Sequence, residues 1–207
     1  MKAVILISGN GSNLQSIIDH ADRIDLQISA VISNNKNAFG LKRAELVNIK
    51  THFVDSKIFN TRDAFDKELI SIIDSNSIEL IILAGYMKIL SALFINHFSG
   101  KILNIHPSLL PKYPGLNTHQ RAIDASEKHH GATVHFVTEK LDGGAIISQE
   151  IVNIDSNDTE TSLAEKVLKK EHILYPKVIH WYTQKRLKLN NKVTATLDGK
   201  ILCRKLF

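Results

Sequence analysis

The chain has 207 residues, 43% of them apolar, a single cysteine and a formal net charge of +5. That composition supports one large buried core, excludes a disordered chain, and leaves too little cysteine for a disulfide framework or a thiolate metal site. The basic balance favours an anionic partner, but Lys and Arg are spread along the chain, and no basic run with interleaved aromatics marks a nucleic-acid surface. The lone Cys203 suits a reducing, cytoplasmic setting. The apolar runs at 3–7 and 80–87 are too short for a signal segment or a membrane span.

The first half alternates apolar runs with helical patterns. KAVILI (2–7) reads as a buried strand and Asn13 to His20 as a helix with Leu14, Ile17 and Ile18 on one face. QISAVIS (27–33) is a second strand, Phe39 to Val47 a helix, and THFV (51–54) a short strand. Thr61 caps a helix over Arg62 to Asp74, whose apolar residues Phe65, Leu69, Ile72 and Ile73 recur at helical spacing. ELIIL (79–83) is a strand, Leu90 to Phe98 a short helix and KILN (101–104) a strand. Continuous apolar strands separated by helices predict an α/β fold: a Rossmann-like, mostly parallel sheet covered by helices on both faces. Ligands of such sheets bind beyond the carboxyl ends of the strands, where SGNGSN (8–13), AGYMK (84–88) and NIH (104–106) fall.

The second half changes character. A helix near Thr118 to Ser126 precedes two strands, GATVHFVT (131–138) and AIISQEIV (145–152), with Leu141-Asp142-Gly143-Gly144 between them. A long helix over Thr159 to Lys185 contains Pro176, which predicts a kink or a split. KVTATL and KILCRK around Asp198-Gly199 predict a C-terminal antiparallel hairpin.

Three features carry chemistry. The glycine loop after the first strand opens a helix, whose N-terminus favours an anion. A dinucleotide fingerprint would need glycine at Leu14, and no Gly-Lys-Ser/Thr follows, so the loop suits one phosphate group. A plain strand–helix turn with Ser12 as N-cap accounts for it equally. Asn104 and His106 lie two apart at a strand end, so both face one way. An amide and an imidazole there can donate to one developing oxyanion. Asp142 is the natural carboxylate to orient that histidine and favour its charged form. A strand-end Asn and His bonding to loop backbone explain the spacing as well. Three prolines, Pro107, Pro111 and Pro114, stiffen the chain after His106. No serine elbow, activated cysteine or HExxH pair accompanies these residues, so no metal is expected.

ISGNGSNLQSII, LAGYMKIL, LNIHPSLLPKYPGLNTHQRAI, GATVHFVTEKLDGGAIISQ and KKEHILYPKVI, in this order, resemble the phosphoribosylglycinamide formyltransferase family over nearly the whole chain. The resemblance implies a single formyltransferase domain over 1–207, with a phosphate-binding half at 1–104 and a folate-binding, C-terminal half at 105–207. It implies formyl transfer from 10-formyltetrahydrofolate to 5-phosphoribosylglycinamide in purine biosynthesis, in the cytoplasm, by a monomer or homodimer without a metal, nucleic acid or membrane partner. Carried over by position, Gly11, Ser12 and Asn13 would hold the ribonucleotide phosphate, and Glu171 would contact the glycinamide. Arg62, Met87, Lys88, Ile89, Leu90, Asn104, Thr138, Glu139, Lys140, Leu141 and Asp142 would line the folate site. Asn104, His106 and Asp142 would be catalytic, and the Leu110–Pro111 bond would be cis. The family often has arginine at Lys88 and phenylalanine at Tyr86, and the C-terminal tail matches least. The related hydrolases and tRNA formyltransferases carry extra domains. A strand starting at Lys2 and a chain ending at Phe207 lead us to expect neither.

Overall fold

A computed structural model describes residues 1–191 and 193–202. Cys203 and the end of the expected KILCRK strand lie outside these. The chain divides into two compact units, Met1–Asn104 and Ile105 onward.

The first unit is built on five parallel strands, β1 (Lys2–Ile7), β2 (Gln27–Ser33), β3 (Thr51–Phe53), β4 (Leu80–Leu83) and the start of β5 (Ile102–His106). Ala3 through Ile7 are all 0% exposed. Since successive side chains point to opposite faces, both faces of β1 are covered, which is why this strand is apolar without alternation. Helices α1 (Ser12–His20), α2 (Phe39–Leu46), α3 (Arg62–Asp74) and α4 (Ala92–His97) alternate with the strands. Leu14 and Ile17 of α1, Leu69 and Ile73 of α3 and Phe94 of α4 complete the core. Each such burial contributes about 1.5–3 kcal/mol. Thr61 caps α3 as expected, its hydroxyl accepting from Ala64 N–H at 3.1 Å.

The second unit holds α5 (Thr118–Asp124), the antiparallel pair β6 (His129–Phe136) and β7 (Ile146–Asn153), and the long helix α6 (Glu160–Thr183). A capping box between Thr159 and Ser162 starts α6. Pro176 does not split it: one helix runs through, with Leu163, Val167, Leu174, Tyr175, Val178 and Ile179 buried. Helix α6 packs on β6 and β7 and buries side chains both before and after the proline, which outweighs the lost backbone bond. The strand order in the first unit is β3-β2-β1-β4-β5, and in the second β6 pairs with β7. A separate three-stranded antiparallel sheet follows, of β8 (Leu187–Asn190), β9 (Thr194–Leu197) and β10 (Lys200–Ile201). The β9–β10 hairpin turns at Asp198-Gly199 as the sequence predicts, and β8 is an addition to it. Among the described residues no helix is long and apolar enough to cross a membrane.

Candidate active site

The glycine loop leads directly into α1. Gly11 is its N-cap at φ 77°, and Ser12 is its first residue, so Ser12 does not cap it. Gly11 is glycine for two physical reasons. Its φ is costly for any residue with a Cβ, and a methyl group there would lie 2.7 Å from Gly40 Cα in α2. Gly40 N–H donates to Gly9 O at 3.2 Å across the same approach. From the next turn of α2, Arg43 donates Nε–H to Asn10 O and Nη2–H to Asn10 Oδ1, both at 3.0 Å. The loop is therefore held from behind by α2, which leaves the opening turn of α1, with Ser12 and Asn13, as its anion-favouring end.

Arg62, Met87, Lys88 and Ile89 line one cavity of about 430 Å³ together with Phe59 and Phe65. Leu90 is not on this wall, and its side chain is buried at 6% exposure. The loop ends on a buried carboxylate: Ser91 N–H donates to Asp66 Oδ2 at 2.6 Å. Burial pushes the Asp66 carboxyl above its ordinary range, against the lowering by that hydrogen bond. Among the described residues the buried Tyr86 hydroxyl has no partner, and burial, followed by the Asp66 charge, raises its pKa.

His106 ends β5, two residues after the partly exposed Asn104, and is itself 6% exposed. Its Nε2–H donates to the Tyr113 carbonyl at 2.9 Å. That bond assigns the ring: Nδ1 is the nitrogen facing Asp142 Oδ2, at 3.5 Å. Asp142 is in turn held by Gly115, whose N–H donates to the same Oδ2 at 2.8 Å. Tyr113 and Gly115 both adopt positive φ, 55° and 77°. The proline-rich stretch thus fixes the imidazole with one backbone group and the carboxylate with another, two residues on. The cis Leu110–Pro111 bond lies in this stretch. At 3.5 Å the Nδ1–carboxylate pair is close enough for charge stabilisation and too long for a strong direct bond, which leaves Nδ1 able to serve a third group.

A second histidine faces the same carboxylate. His135 on β6 has Nδ1 at 2.9 Å from Phe136 O, and Nε2 at 3.8 Å from Asp142 Oδ1. Burial, with His106 adding to it, lowers its pKa, while the Phe136 carbonyl and Asp142 oppose the shift. Behind them, the His119 and His130 rings pack edge to face at 5.2 Å. Burial, then His119, pulls His130 down to about 4, and burial lowers His119 as well.

Residues 1–179 match the sequence model of the family described as Formyl transferase. The chain belongs to that family. Within it, the chain is 48% identical to the phosphoribosylglycinamide formyltransferase of Escherichia coli (strain K12), over 98% of this chain and 96% of that protein. It is 42% identical to a trifunctional purine biosynthetic protein adenosine-3 of Homo sapiens over 84% of this chain, which corresponds to 18% of that larger protein. The solved phosphoribosylglycinamide formyltransferase from Coxiella burnetii, in complex with CHES, superposes with a TM-score of 0.95 at 46% identity, covering 99% of this chain and 96% of that one.

Other residues singled out by the formyl transferase resemblance fall as follows. Thr138, Glu139, Lys140 and Leu141 form the segment after β6 that ends in Asp142, with Leu141 exposed and Asp142 at φ 48°. Glu171 is 6% exposed and sits in the Leu163, Val167, Tyr175, Ile179 row of α6, a carboxylate where the i, i+4 pattern calls for an apolar side chain. Among the described residues no group of three His, Cys, Asp or Glu is placed to hold a metal. Sequence reasoning missed His135, Tyr113 and Gly115. His135 carries one usable signal, a titratable residue buried in the apolar run of β6. The other two act through backbone atoms, which no side-chain pattern reveals.

Proposed function

We propose that this protein transfers the formyl group of 10-formyltetrahydrofolate to the amine of 5-phosphoribosylglycinamide, in the cytoplasm, as a step of purine biosynthesis. The observation that carries the chemistry is the buried His106 ring, held by Tyr113 O at Nε2 and facing Asp142 with Nδ1. The family and the names of full-length relatives supply the substrates. In this reading the glycinamide amine attacks the formyl carbon. A C–N bond forms, the carbonyl oxygen becomes an oxyanion, and the bond to N10 then breaks as N10 takes the amine proton. Asn104 and the Nδ1–H of charged His106 donate to the oxyanion, with Asp142 stabilising the imidazolium. No covalent enzyme intermediate is needed, which agrees with a site built without a nucleophile.

Gly11, Ser12 and Asn13 hold the phosphate, and Glu171 the glycinamide. Arg62, Met87, Lys88, Ile89 and the Thr138–Asp142 segment hold the folate. Leu90 supports that wall from the core. Incubating the protein with both substrates and separating the formylated ribonucleotide from free formate tests the reaction. Formylated product dependent on the glycinamide substrate is the expected result. Formate release at the same rate without acceptor would instead make the protein a hydrolase.

A further inference from the structure

Ser8 is where the two loops of the first unit meet. Its N–H donates to Gly85 O at 3.2 Å, and its carbonyl accepts from Asn35 Nδ2 at 3.2 Å. Its hydroxyl donates to Asn34 Oδ1 at 2.6 Å and accepts from Met87 N–H at 2.8 Å. A serine hydroxyl has one proton, and here Asn34 takes it, so a lone pair is turned to the Met87 amide. That proton is spoken for, and Ser8 is no nucleophile. Its oxygen instead joins the start of the glycine loop to the start of the Met87–Ile89 cavity wall, although 79 residues separate Ser8 from Met87 in sequence.

We propose that Ser8 is a positioning residue that couples the two substrate sites. Filling the glycine loop with the ribonucleotide phosphate changes the affinity of the Met87 loop for the folate, and folate changes ribonucleotide affinity by the same factor. The inference rests on the site assignments of the proposed function. Its physical basis is the shared hydroxyl: any shift of the loop that carries Ser8 with it moves the acceptor of the Met87 N–H.

The test is calorimetric titration of 5-formyltetrahydrofolate, whose formyl group is on N5, into wild type and Ser8→Ala, with and without saturating 5-phosphoribosylglycinamide. In the wild type the two folate affinities should differ by about fivefold or more. In Ser8→Ala their ratio should fall close to one. A merely structural serine would weaken both affinities and preserve the ratio. A wild-type ratio of one, or an undiminished ratio in Ser8→Ala, overturns the proposal. If Ser8→Ala does not fold, Asn34→Ala, which releases the hydroxyl proton, is read by the same criterion. Chemistry is scored separately. Coupled binding without formyl transfer would remove the proposed reaction and leave the coupling, and transfer by uncoupled sites would do the opposite. Failure of the wild type to bind either molecule would overturn both.

Discussion

The His106 ring is oriented by Tyr113: Nε2–H donates to the Tyr113 carbonyl at 2.9 Å, and that bond turns Nδ1 toward Asp142. A backbone acceptor does this without a titratable group of its own, so the orientation survives protonation of the ring. Gly115 adds the matching bond to the carboxylate. The prolines around these two residues reduce the freedom of the segment that carries both. Donors already in place need not reorganise as charge develops.

Packing behind the glycine loop makes it intolerant of one methyl group. Gly11→Ala must adopt φ 77° and place its methyl 2.7 Å from Gly40 Cα. The conformational part alone costs about 1–2 kcal/mol. Among the described residues, Gly9→Ala meets nothing within 4 Å. Thermal denaturation should show Gly11→Ala melting well below wild type and Gly9→Ala close to it. Equal melting temperatures for the two variants would mean that α2 does not brace the loop.

Stability should fall on mild acidification. His130 is 1% exposed, and its pKa is lowered from 6.5 to about 4 by burial first and His119 second. The unfolded chain therefore takes up this proton before the folded one. The contribution is complete above about pH 6.5, declines as pH falls toward 4, and is gone below that. For this residue it amounts to roughly 3 kcal/mol. His119 and His135, lowered in the same direction, add to the slope. Denaturant unfolding at pH 7 and pH 5 should show the loss, and His130→Phe should flatten it. A His130→Phe curve as steep as wild type would remove His130 as a source.

Among the described residues the buried Tyr86 hydroxyl has no partner, and neither does Oδ1 of Asp66, whose charge acts on it. Leaving such a group unpaired costs about 1–3 kcal/mol. Tyr86→Phe should therefore keep or raise the melting temperature. A clear drop would show that the hydroxyl has a partner in solution.

Much of this architecture is legible in the sequence because parallel strands buried on both faces are continuous apolar runs. QISAVIS and the Thr61-capped Arg62–Asp74 helix fall on the expected residues. What escapes is decided by tertiary context. Pro176 reads as a break, yet the buried rows on either side of it hold one helix. The four-residue β8 has only Leu187 and Leu189 to announce it. Asn104, His106 and Asp142 stand out by residue type and position. The backbone bonds of Tyr113 and Gly115, and the burial that lowers His119, His130 and His135, exist only once the chain is folded.

The central claim is that the Tyr113-oriented His106, facing Asp142, stabilises the transition state of formyl transfer. Steady-state turnover of Asn104→Ala, His106→Ala and Asp142→Asn, each checked for a native melting temperature, tests it most directly. The account predicts that each substitution lowers kcat for formyl transfer by about 100-fold or more. A folded His106→Ala variant that turns over within threefold of wild type would contradict it.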